Sequence, residues 1–135
     1  MSRTRVLIVD DNEMFISMAK FVLVAAAYEV QTAPDANQAL LQMPDFMPEL
    51  ILMDVQMPVM DGIELTRKLK ADPATQHMVI VAFTAYALRG DAPKLQEAGF
   101  NGYIAKPVDV MTLAAQVRFW LEGPASARAS HFVWP

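Results

Sequence analysis

Five polar residues draw attention because each closes a short apolar run. Asp10 and Asp11 follow Val6-Leu7-Ile8-Val9, Asp54 follows Leu50-Ile51-Leu52-Met53, Thr84 follows the run from Met78 to Phe83, and Lys106 follows Tyr103-Ile104-Ala105. Three carboxylates brought together repel one another and resist ionisation unless a cation lies between them. Hard carboxylate oxygens suit Mg²⁺, which takes a few carboxylates, waters and phosphate oxygens. Asp10 and Asp11 alone make a weak metal site, and Asp54 completes it. Asp54 is also placed to act as a nucleophile and form an acyl phosphate. Lys106 would then supply a cation and Thr84 a hydroxyl to the new phosphoryl oxygens, while the metal neutralises further charge. Singly, each residue has an ordinary reading: an Asp at a strand end caps a turn, and a Lys is a solvated surface charge. Jointly, that reading needs five coincidences at one edge of a sheet.

The elements that must bring these residues together are short. Val6 to Val9 is too brief for a helix and reads as a strand buried on both faces. After Asp11-Asn12, the residues Phe15, Met18, Ala19, Val22 and Ala26 are spaced for one face of a helix. Tyr28 to Ala33 reads as a second strand. Asp35 with Gln38 three residues on marks a helix start, and that helix is expected to stop near Pro44. Leu50 to Met53 is the third strand. Asp61 with Glu64 has the same capping spacing and opens a helix ending before Pro73. Met78 to Phe83 is the fourth strand, and Tyr86 to Ala98 the fourth helix, stopped by Gly99. Tyr103 to Ala105 is the fifth strand, and Asp109 caps a helix carrying Leu113, Val117, Trp120 and Leu121. Strands alternating with helices imply an α/β fold, a parallel sheet with helices on both faces. Ligands of such sheets bind beyond the carboxyl ends of the strands, where all five polar residues fall.

Composition narrows the function classes. With 135 residues and 54% hydrophobic content, the chain can bury one core. Residues 1–122 read as one domain and 123–135, where periodicity is lost, as a flexible tail. There is no cysteine, which rules out disulfides, a thiol nucleophile and a Cys-based zinc site. The net charge is −4 and the 11 basic residues are scattered, so no cationic footprint for nucleic acid is present. No apolar run is long enough for a signal peptide or a membrane span. A soluble, cytoplasmic protein is expected.

These residues resemble the receiver domain of two-component response regulators over nearly the whole chain, from about Arg5 to Leu121. The resemblance rests on Val9-Asp10-Asp11-Asn12, on Met53-Asp54-Val55-Gln56-Met57-Pro58-Val59-Met60-Asp61-Gly62, on Phe83-Thr84-Ala85 and on Tyr103-Ile104-Ala105-Lys106-Pro107. It implies a doubly wound (βα)5 fold with strand order 2-1-3-4-5. Asp54 would be phosphorylated by a histidine kinase or a histidine phosphotransfer protein. Asp10, Asp11 and Asp54 would bind Mg²⁺, with the backbone carbonyl of Gln56 as a further ligand. Lys106 would contact the phosphoryl group, and the bond before Pro107 would be cis. Thr84 would move toward the phosphate and Tyr103 would turn inward. Gln56 and Tyr86 would flank the phosphoryl group and tune its hydrolysis. Phosphorylation would bias a two-state equilibrium read on the surface of the fourth helix, fifth strand and fifth helix.

No output domain follows in the sequence, so the expected output is contact with a downstream protein effector. A stand-alone regulator is favoured over a phosphorelay intermediate or a receiver excised from a hybrid kinase. In the fifth helix, Leu113, Val117 and Leu121 are expected to face the core. Met111, Ala115 and Phe119 would lie nearer the outside, and docking or homodimerisation through the helix 4–strand 5–helix 5 face is a further expectation. Other classes fit less well. A flavodoxin-like carrier needs a Gly/Ser/Thr-rich phosphate loop where Asp10-Asp11 stand. A haloacid-dehalogenase phosphatase needs a second Asp two residues past the nucleophile, where Gln56 stands. A phosphate-independent interaction module would not need the intact set of polar residues. The chain is therefore expected to catalyse only its own phosphorylation and dephosphorylation.

Overall fold

The computed structural model describes residues 3–55, 60–84, 92–105 and 109–127. Strands and helices alternate along them: β1 Arg5–Val9, α1 Glu13–Ala25, β2 Glu29–Ala33, α2 Ala36–Phe46, β3 Leu50–Asp54, α3 Gly62–Ala71, β4 Val79–Thr84, α4 Ala92–Ala98, β5 Gly102–Ala105 and α5 Val110–Ala127. All neighbouring strands are parallel and the order is β2-β1-β3-β4-β5, as the resemblance implied.

Strand pleating sorts the side chains into two cores. Leu7, Val9, Ile51, Met53, Ile80 and Ala82 pack against α2, α3 and α4. Val6, Ile8, Leu50, Leu52, Val81 and Phe83 pack against α1 and α5. Every residue of β3 is buried, because this central strand is covered on both faces.

The helix starts follow from their capping side chains. Asn12, Asp35 and Asp61 each accept a hydrogen bond from the backbone N–H three residues on, at 3.1, 2.8 and 2.9 Å. At the start of α5 the Asp109 side chain accepts from the backbone N–H two residues on, Met111 N, at 2.9 Å.

Three details depart from the sequence expectations. α2 does not stop at Pro44 but runs through it to Phe46. Proline removes one backbone donor there, yet Met43 and Phe46 are buried on the same face, and that packing carries the helix one half-turn further. It ends where Met47 adopts a left-handed φ of 51°. On α1 the buried line is Phe15, Ala19 and Leu23, a strict four-residue spacing, whereas Met18 and Ala26 face solvent. α5 continues to Ala127, past the last apolar periodic residue and through Gly123 and Pro124, although both are poor helix formers. Residues 128–135 lie outside the described residues. On α5, Leu113, Val117 and Trp120 are buried, Leu121 and Phe119 are half-buried, and Met111 and Ala115 are exposed.

Candidate functional site

Strand register builds the site. Val9 pairs with Met53, so the next residues, Asp10 and Asp54, emerge side by side from β1 and β3. One oxygen of each of Asp10, Asp11 and Asp54 lies within 4.8 Å of the others. Asp10 and Asp54 are 1% and 4% exposed while Asp11 is open to solvent, so the cluster has a dry floor and a wet mouth.

Local hydrogen bonds hold the floor in place. Asp10 N donates to Ala33 O at 3.1 Å, extending the β1–β2 ladder by one step. The turn into α1 brings Asn12 N to donate to Asp10 Oδ1 at 2.8 Å, which sets the direction of that carboxylate. Asp54 pairs in register with Phe83 of β4. Phe83 stacks on Phe15 of α1 with ring centroids 4.2 Å apart, an apolar support beneath the acidic cluster.

One contributor was not singled out as a packing position in the sequence. Gly62 N donates to Val55 O at 2.9 Å, bringing the first residue of α3 against the residue that follows β3. A Cβ at Gly62 would fall on the carbonyl oxygen of Asp54 and lie 2.9 Å from Met53 Cγ. The glycine allows the start of α3 to press against the backbone that carries the central carboxylate. Its signal in the sequence was Asp61-Gly62, legible as a helix cap but not as a contact with Asp54.

The remaining site residues divide in two. Thr84 ends β4 opposite Ala105 of β5, which puts its backbone at the same edge of the sheet as Asp54. Tyr103 of β5 is half-buried against the α2–α3–α4 core and lines a groove of about 500 Å³ with Thr112, Gln116 and Phe119 of α5. Gln56, Tyr86, Lys106 and Pro107 lie outside the described residues.

Three carboxylates converge, two of them nearly dry, and a cation among them would offset their mutual repulsion. The donors are all hard oxygens, one side of the cluster is open to water, and a hard divalent ion such as Mg²⁺ fits that donor set. The arrangement leaves Asp54 at the end of a buried strand, facing an accessible mouth, which suits a nucleophile that must meet a phosphoryl donor.

The sheet is doubly wound, and its switch-point edge carries the acidic cluster. The chain belongs to the response regulator receiver domain family, whose family model matches residues 6–118. Response regulator PleD of Caulobacter vibrioides is 43% identical over 114 residues, covering 84% of this chain and 25% of PleD. The chain thus spans a quarter of that relative's length. The polar-differentiation response regulator DivK of Brucella anthropi is 34% identical over 116 residues, covering 86% of this chain and 94% of DivK. Among solved structures, a response regulator receiver domain protein of Methanospirillum hungatei superposes with a TM-score of 0.81 at 30% identity, covering 90% of this chain and 95% of that one. The receiver domain of a sensor histidine kinase from Pseudomonas aeruginosa, which has a magnesium ion coordinated in its active-site cleft, superposes with a TM-score of 0.80 at 31% identity. That likeness covers 90% of this chain and all of the other. Among the described residues, no helix is long and apolar enough to cross a membrane.

Proposed function

We propose that this chain is a phosphoacceptor of a two-component or phosphorelay system, taking its phosphoryl group on Asp54. The observation that carries this reading is the placement of Asp54, nearly buried at the end of β3, with Asp10 and Asp11 oxygens within 4.8 Å. In the reaction, a carboxylate oxygen of Asp54 attacks the phosphorus of a phosphohistidine on a histidine kinase or phosphotransfer protein. The phosphorus–nitrogen bond breaks, the imidazole keeps the electron pair and regains a proton from water, and an acyl phosphate forms. Hydrolysis by water later restores the carboxylate.

Asp10, Asp11, Asp54 and the backbone carbonyl of Gln56 would hold Mg²⁺, which offsets the charge that accumulates as the phosphoryl group arrives. The chain's own residues do the rest. Asn12 N keeps Asp10 aimed into the cluster. The packing of Gly62 on the Asp54 backbone limits how far the nucleophile can drift. Lys106 pairs with the phosphoryl oxygens, Thr84 donates its hydroxyl to them, and Tyr103 turns inward as Thr84 moves. Pro107 in the cis form positions Lys106, and Gln56 and Tyr86 govern how water reaches the acyl phosphate. The signal leaves by contact with a protein effector on the α4–β5–α5 face, and the chain turns over no other substrate. A cytoplasmic location suits such partners.

The test is incubation of the purified protein with acetyl phosphate and Mg²⁺, read by intact mass beside Asp54→Ala. One added phosphoryl group in the wild type, absent with EDTA and absent in the variant, is the expected result. No mass gain and no binding of Mg²⁺ or beryllofluoride would overturn the reading.

A further inference from the structure

The side of α1 turned away from the sheet is apolar and open. Met14 and Phe21 are 77% exposed, Met18 45% and Val24 43%, while Phe15, Ala19 and Leu23 hold the opposite side in the core. Met14, Ser17, Phe21 and Val24 recur at alternating steps of three and four residues, the seam along which one helix packs on another. Scattered exposed apolar side chains are ordinary on a surface, but a continuous strip at helix-packing spacing marks an interface.

Charge selects the occupant. Glu13 and Lys20 are seven residues apart and so lie on the same edge of the strip. Both are exposed, and neither has an ion-pair partner among the described residues. A two-fold axis crossing an antiparallel pair of helices brings matching edges together. With the axis between Ser17 and Met18, Met14 comes level with Phe21 of the second copy. Glu13 then stands two residues from level with Lys20 of that copy, about 3 Å along the helix and within reach of both side chains.

The symmetry repeats each contact. Met14 meets Phe21 twice, a favourable pairing of thioether and ring, and Glu13 meets Lys20 twice. Ser17, a small residue beside the axis, lets the two helices approach. A parallel pair would instead set the Glu13–Lys20 edge against Met18 and Ala25, leaving both charges unmatched. We infer that α1 is the contact face of a homodimer, packed antiparallel through Met14 and Phe21, with Glu13 of each copy paired to Lys20 of the other. The α4–β5–α5 face takes no part in this pair.

Sedimentation equilibrium of the full chain, at loading concentrations up to about 1 mM, tests this. The wild type is expected to pass from monomer to dimer as concentration rises. Phe21→Glu, a change at an exposed position, should weaken the dimer roughly tenfold or more with helix content unchanged. Glu13→Lys and Lys20→Glu should each weaken it several-fold, because like charges then face each other across the axis. Mixing those two variants in equal amounts should restore a dimer, since every facing pair is again of opposite sign. A wild type that stays monomeric throughout would overturn the proposal. Dimers that survive Phe21→Glu would lie on another face and overturn it as well. So would the two charge variants failing to combine on mixing.

Discussion

The Lys70 ammonium donates to Asn101 Oδ1 at 2.9 Å, and the same oxygen accepts from Ile80 N at 2.8 Å. Asn101 N in turn donates to Ile80 O at 2.8 Å. Lys70 Nζ also donates to Met78 O at 2.7 Å and Gln76 O at 3.2 Å. One side chain near the end of α3 thus ties together the start of β4 and the loop before β5, on the edge of the sheet away from Asp54. Lys70→Met keeps the aliphatic stem beneath Gly99 but takes the ammonium donor from Met78 O and Gln76 O and leaves Asn101 Oδ1 with Ile80 N alone. A loss of about 1–3 kcal/mol in unfolding free energy is expected by denaturant titration, with phosphorylation of Asp54 retained.

Burial lowers the Lys70 pKa below the ordinary lysine value of 10.5. Between the folded and unfolded values, the unfolded chain binds more protons, so stability contributed at this position rises with pH through that alkaline window. Paired denaturant titrations of wild type and Lys70→Met, from neutral pH up to 10.5, should show the balance shift in favour of wild type. A constant difference across the window would contradict this.

Gly62→Ala tests the close approach at the site. The added methyl group collides with the Asp54 carbonyl and crowds Met53, so the backbone that carries the Asp54 carboxylate must move. A destabilisation of about 1–3 kcal/mol is expected. A slower gain of phosphoryl mass from acetyl phosphate than in wild type should accompany it.

Asp54→Asn removes one of three converging charges. The metal-free variant is expected to melt at a higher temperature than the metal-free wild type, because repulsion in the cluster is relieved. Added Mg²⁺ is expected to raise the melting temperature of the wild type and to do so less, or not at all, in the variant. Calorimetric scans with and without EDTA decide both points.

Thr66 of α3 is fully buried, and its hydroxyl has no hydrogen-bond partner among the described residues. Replacing it with valine keeps the shape and removes an unsatisfied polar atom. Thr66→Val should be neutral or more stable by about 1 kcal/mol in denaturant titration.

Met14 and Phe21 of α1 are both 77% exposed, and Met14 lies two residues past the cap that follows Asp11. A protein donor reaching Asp54 would cover that end of the helix, whereas a small donor would not. Met14→Asp should slow transfer from a phosphorylated protein donor while leaving the acetyl phosphate reaction unchanged.

The order of elements and the polar residues at their ends were legible in the sequence because both are local. A buried central strand such as Leu50–Met53 is a continuous apolar run, and a cap such as Asp61 is read from its own neighbours. That Asp10, Asp11 and Asp54 share an edge follows once the strands are parallel. Their spacing does not: it depends on Val9 pairing with Met53 rather than with a residue one place along. Packing between distant segments settled the rest. The burial of Phe46 carries α2 through Pro44, Leu23 rather than Met18 completes the inner line of α1, and Gly62 rests on the Asp54 carbonyl. Each of these depends on what a second segment brings to the contact, and neither segment's own residues specify that.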